Sequence, residues 1–160
     1  MPGYFALDPR PLQPEDSQAT RVLLLGTLGI TPYIDRALEV LELAERGNDP
    51  EHRALVIARD GTVAALALFG IIAGTARGAR VHTAVLAPGI EIEDVGMRLM
   101  DAVATAARGS GADFILAEMP DDPALGTTLT LLRQHGFRDE ARVPDFFRDG
   151  VALTFLRRPL

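Results

Sequence analysis

At 160 residues, 48% of them apolar and 24% charged, the chain is expected to form one domain over 1–160, long enough to bury about two-thirds of its unfolded surface. Its net charge of -6 repels phosphate backbones and anionic bilayers, so neither nucleic acid nor a membrane is an expected partner. The absence of cysteine excludes disulfides and thiolate chemistry, and with no basic-then-apolar start and no run of ~20 apolar residues, a cytoplasmic location is expected.

A short strand is predicted within 5–12. Pro14-Glu15-Asp16 combines an early proline with acids facing the positive end of a helix dipole, and predicts a first helix to about Leu28. Thr31-Pro32 gives an N-cap and first residue for a second helix, in which Ile34, Leu38 and Leu41 recur at helical spacing until Gly47. Two β-prone runs, 54–58 and 62–69, flank Asp60-Gly61, a strong two-residue hairpin signal.

A further strand is predicted over 80–86. Asp94 is then expected to cap a helix in which Val95, Leu99, Ala102, Val103 and Ala106 share one face until Gly109. The run 113–119 suits a buried strand, 124–135 a helix closed by Gly136, and 142–143 and 151–156 two last strands around Pro144 and Gly150. The order βααβββαβαββ is that of an α/β fold with a mixed, mostly antiparallel central sheet and helices on both faces.

Several residues in this frame have side chains able to do chemistry. Glu118, near the end of a central strand, is a candidate general base or an exposed strand-end acid. His82 should share one face with Ala84 and Leu86 by alternation, as a catalytic base or a hydrogen-bonded core histidine. His135, at a helix C-terminus, is expected to be a cationic ring favouring the dipole. Without close His/Asp/Glu spacing, no metal is expected. Asp121-Asp122-Pro123 reads as a helix start. Phe146 and Phe147 cannot both face inward from one strand, so one is expected to line a substrate pocket or a subunit contact.

The segment Gly136-Phe137-Arg138-Asp139-Glu140-Ala141-Arg142-Val143-Pro144-Asp145-Phe146-Phe147 resembles the C-terminal half of a GCN5-related N-acetyltransferase (GNAT), where a helix ends in Gly-Phe and a strand leads into a Pro-Asp-aromatic-aromatic turn. The stretch 83–100 aligns without a gap to that family's central strand, loop and helix, and the matching segments cover most of 54–158. The resemblance implies an enzyme that passes an acyl group from acetyl-coenzyme A to a small amine. It implies that Ala84, Val85 and Leu86 pair with the pantetheine arm where their strand splays from 113–119. It also implies that Val95, Gly96, Met97 and Arg98 begin the helix against the pyrophosphate, and that the last strands form a homodimer.

Two positions depart from the family. Its phosphate loop carries arginine or glutamine, two residues, glycine, any residue, then glycine or alanine; here Glu91, Ile92, Glu93, Asp94, Val95 and Gly96 keep only the final glycine. Two like charges ~4 Å apart cost roughly 1 kcal/mol in water and about 4 kcal/mol at an effective dielectric near 20, so coenzyme A binding is expected to be impaired or atypical, with Arg98 or Arg133 needed to reach the phosphates. Many members place a general-acid tyrosine where this chain has Leu132, and Tyr4 and Tyr33 lie elsewhere in the sequence. The alternative is a GNAT-fold protein without acetyltransferase activity, a cofactor-free binding module or repurposed enzyme whose acidic loop takes a cationic ligand.

Overall fold

The computed structural model describes residues 7–75 and 77–160. Strand β1 (Arg10–Pro11) is followed by helices α1 (Ser17–Leu28) and α2 (Ile34–Glu45), strands β2 (Arg53–Arg59), β3 (Thr62–Ile71) and β4 (Gly78–Leu86), and helix α3 (Met97–Gly109). Strand β5 (Phe114–Pro120), helix α4 (Gly126–Gln134) and strands β6 (Arg138–Arg148) and β7 (Val151–Pro159) complete the order. Of the strand expected within 5–12, residues 5 and 6 lie outside the described residues.

The strands form one seven-stranded sheet in the order β1-β2-β3-β4-β5-β7-β6. Every pairing is antiparallel except β4 with β5. That parallel pair needs a long crossover, which α3 supplies. The β2–β3 hairpin turns at Asp60 (φ 51°) and Gly61 (φ 76°), the positive-φ pair that matches the twist of the flanking strands.

The central strands are apolar on both faces because helices cover both. Ile57, Ala65, Ala67 and Val81 pack toward α3 and α4 with Leu99, Met100 and Val103. Their neighbours Val56, Leu66 and Leu68 pack toward α1 and α2 with Leu24, Val40 and Leu41. Strand β6 is longer than expected and every one of its residues is exposed. It is an edge strand rich in charge and interrupted by Pro144, features that suit an edge and hide it from a search for apolar alternation.

Candidate active site

The sheet opens at its centre. Pairing of β4 with β5 runs from Gly78↔Phe114 to Val81↔Ala117 and stops there. At the same level β4 carries a bulge: Leu68 pairs with Thr83 and Phe69 with Val81, leaving His82 as the extra residue. The bulge resets the alternation, so Val81 and Ala84, three apart, both face the α3/α4 core. The expectation that His82 shares a face with Ala84 and Leu86 is therefore corrected, because one inserted residue shifts the period of two.

Beyond the bulge, Ala87 N–H donates to the Ala64 carbonyl at 2.8 Å in register with Leu66↔Val85. By antiparallel alternation, the backbone groups of Val85 face β3 and those of Ala84 and Leu86 face the gap. One of them is already engaged: the Thr128 hydroxyl of α4 donates to the Ala84 carbonyl at 2.6 Å in a buried bond.

Against this opening lies a cavity of about 560 Å³, reached by Tyr33 and Arg36 of the α1/α2 segment, Arg80 and His82 of β4, Glu118 of β5 and Phe147 of β6. Glu118 is exposed, and its Oε1 accepts from an Arg80 guanidinium nitrogen at 3.2 Å. His82 Nε2 lies 3.0 Å from the Glu51 carbonyl oxygen. A carbonyl only accepts, so Nε2 carries the proton. Burial lowers the His82 pKa from 6.5 to about 4, outweighing the bond to Glu51, with neighbouring His52, Arg80 and Arg36 acting in the same sense as burial. The His52 ring stacks on it at 5.1 Å. His82 is thus a neutral, hydrogen-bonded ring at the pocket wall.

At the other wall, Tyr33 donates its hydroxyl proton to Asp122 Oδ2 at 2.7 Å, and Arg148 donates to the same oxygen at 2.8 Å. The Tyr33 hydrogen bond is the largest influence holding the Asp122 carboxyl below the usual carboxylate range, followed by the Ala124 N–H. Burial, reinforced by Asp122, raises the Tyr33 pKa. Asp122 also caps the turn before α4 by accepting from Ala124 N–H at 2.9 Å, the role its sequence predicts. Of the two adjacent aromatics, Phe147 lines the cavity and meets Tyr33 edge-on at 5.9 Å, whereas Phe146 is 57% exposed.

The turn that begins α3 differs from the expectation in one respect. Asp94 is not its cap: the turn opens at Glu91, and the Asp94 carboxylate accepts from Arg98 Nε one turn on, at 3.0 Å. Arg98 also donates to the Leu7 carbonyl, and Arg133 pairs with Asp139 at 3.1 Å. Both arginines proposed as substitute phosphate ligands therefore have protein partners.

Val95 and Gly96 are buried and Met97 half-buried. A Cβ on Gly96 would come within 3.0 Å of Leu131 Cδ1 and 3.3 Å of Leu86 Cδ1, so this glycine serves helix packing. The Gly96 N–H donates to the Glu91 carbonyl at 3.3 Å. Tested against the pyrophosphate of coenzyme A, these residues do not fit: three acids stand at the turn, the retained glycine is filled in by leucines, and the nearby cations are taken.

Among the remaining candidates, His135 is buried, and burial lowers its pKa despite a 2.7 Å bond to Asp101. It is the C-cap residue of α4, as expected, and its Nε2 contact with Asp101 links α4 to α3; burial disfavours the cationic form that the dipole would favour. Leu132 is fully buried. Among the described residues one His/Asp/Glu group has atoms close enough for a metal ion, Asp49, Glu51 and His52, where the sequence reading expected no such spacing. Its Asp49 carboxylate already accepts from the Glu51 N–H and contacts His52 Nδ1, at 2.9 and 2.6 Å. Arg80, Tyr33 and Arg148, which line the cavity, were not singled out as pocket residues in the sequence, since they come from three separate parts of the chain with no motif among them.

No protein-family model and no curated protein sequence matches the chain. Solved structures do. A putative acetyltransferase of the GNAT family from Desulfovibrio desulfuricans superposes with a TM-score of 0.82 at 21% identity, over 96% of this chain and 99% of that one. A ribosomal-protein-alanine N-acetyltransferase from Brucella melitensis gives 0.73 at 18%, over 96% and 100%. A putative acetyltransferase from Salmonella typhimurium, solved with its cofactor acetyl-CoA, gives 0.67 at 21%, over 97% and 94%. With the sheet order and central opening described above, these likenesses establish that the chain has the fold of the GCN5-related N-acetyltransferases.

Proposed function

We propose that the chain is an N-acyltransferase of the GNAT type acting on a small amine, and that the turn at 91–96 does not anchor the nucleotide end of its acyl donor. The observation that carries this reading is the parting of β4 from β5 at Val81/Ala117 beside the cavity that holds Glu118. A sheet that opens there exposes unpaired backbone edge on one side and an acceptor pocket on the other. Glu118 is the group that accepts the proton an amine must lose before it attacks a carbonyl. His82, with its Nε2–H held by the Glu51 carbonyl and its pKa lowered to about 4 by burial, is the weaker base of the two and holds the bulge and the pocket wall. Phe147 and Tyr33 supply the aromatic side of the acceptor site.

The neighbours' activities support acyl transfer as the reaction class, and the acidic turn supports an atypical donor. Two donors separate these points. Acetyl-coenzyme A and S-acetyl-N-acetylcysteamine, which lacks the nucleotide, should be used with kcat/KM values within about tenfold of each other, since a nucleotide that is not held contributes little to transition-state binding. Calorimetry should find acetyl-coenzyme A bound at least tenfold tighter by Glu91→Arg/Asp94→Gly than by the native chain. Micromolar binding by the native chain would overturn the reading of the turn.

A second reading, a GNAT-fold binding module without acetyltransferase activity, is favoured by the Thr128 bond to Ala84, which occupies an acceptor the resemblance assigns to the donor arm. Transfer from neither donor, with ligand binding retained, is its outcome. The homodimer is likewise part of the proposal, supported by the edge strand β6 with Val143 and Phe146 exposed at 41% and 57%.

A further inference from the structure

The charge of the cavity is opposite to that of the chain. In a protein of net charge -6, its lining holds three guanidinium groups, Arg36, Arg80 and Arg148, and one carboxylate, Glu118. These charges are not equally available. Arg148 is held by Asp122 and Tyr33. Arg36 pairs with Glu39 at 2.8 Å, both more than half exposed, an arrangement that water screens and that binds weakly. Arg80 reaches Glu118 through one terminal nitrogen, and its Nε is buried without a protein partner.

The wall where the strands part thus presents a positive and a negative group 3.2 Å apart. A ligand matching that pair carries an ammonium and a carboxylate about as close together, the ammonium meeting Glu118 and the carboxylate meeting Arg80. The Arg80–Glu118 pair is partly exposed, so exchanging it for two ligand ion pairs costs little. Around it the cavity is apolar, with Leu28, Val40, Leu68, Met119 and Phe147 among its walls, and its volume of about 560 Å³ lies in the ordinary range for small-molecule sites.

We propose that the acceptor is a small zwitterion, an α-amino acid with an aliphatic or aromatic side chain, whose carboxylate is recognised by Arg80 and whose amine is delivered to Glu118. This rests on reading the cavity as the acceptor site of an N-acyltransferase, but its test needs no acyl donor.

Calorimetric titration of the native chain with L-phenylalanine, phenethylamine and hydrocinnamate separates the two charges. The amino acid is expected to bind at least tenfold tighter than either ligand lacking one charge. Arg80→Gln should weaken phenylalanine and hydrocinnamate while phenethylamine binds as well or tighter, since Glu118 is freed, and Glu118→Gln should weaken phenylalanine and phenethylamine while hydrocinnamate binds as well or tighter, since Arg80 is freed. The ligand that keeps its affinity reports that the variant is folded. Phenethylamine binding as tightly as phenylalanine, or no binding by any of the three, overturns the proposal; should either variant fail to fold, the comparison on the native chain still decides. Absence of acyl transfer with phenylalanine bound would count against the enzyme, not against this recognition.

Discussion

Glu118 and His82 occupy one pocket wall, yet their surroundings give them different chemistry. The carboxylate is exposed and paired with Arg80, whereas the imidazole is mostly buried and bonded to a carbonyl. Glu118→Gln is expected to lower kcat for acyl transfer by about 10²-fold or more, the usual worth of a general base, and steady-state kinetics check it. His82 instead links pH to folding. Its pKa is about 4 when folded against an ordinary 6.5, so between those values the unfolded ring binds a proton that the folded ring does not. Stability from this residue is fully present above pH 6.5 and lost as pH falls toward 4, by about 3 kcal/mol at most. His135, also lowered by burial, acts in the same direction. Urea denaturation of His82→Gln should show a shallower loss between neutral and mildly acidic pH than the native chain.

At the scale of elements, the joint between α4 and β4 lies at the opening, where Thr128 bonds the Ala84 carbonyl. Thr128→Val removes a buried donor from the Ala84 carbonyl, which is expected to cost about 1–3 kcal/mol in chemical denaturation. The elements themselves were legible in the sequence wherever their pattern was strong. The Asp60-Gly61 hairpin, the Leu99–Ala106 face of α3 and the apolar run of β5 gave the correct order because turn chemistry, one-sided helix burial and strand burial each leave a local pattern. Three features were not legible. The His82 bulge depends on how β3 pairs, which no local pattern encodes. The turn that leads into α3 opens at Glu91, and Asp94 within it pairs with Arg98 instead of capping the helix. Strand β6 lacks alternation because neither of its faces is buried: every one of its residues is exposed. Among site residues, Glu118 was identifiable from its strand-end position, while Arg80 and Tyr33 became pocket residues only through tertiary packing.

For the whole molecule, described residues include no helix long and apolar enough to cross a membrane. The homodimer expectation concerns the end of the sheet at β6, where Val143, Phe146 and Phe147 remain exposed. Light scattering is expected to give twice the chain mass, and Phe146→Asp to halve it. A monomer at high concentration for the native chain would remove the dimer.

The short seam between β4 and β5 has a further consequence. A ladder of four residue pairs, Gly78↔Phe114 to Val81↔Ala117, extended by the Asp113 N–H bond to the Arg77 carbonyl, joins the half of the sheet built from β1 to β4 to the half built from β5 to β7. Each half has much longer internal ladders. Amide hydrogen exchange should therefore divide the sheet into two cooperative units, the slowest amides lying in β3 and β7 and faster ones along the seam. A small molecule bridging Arg80 and Glu118 fastens the two units together, so its binding should slow exchange at the seam more than anywhere else.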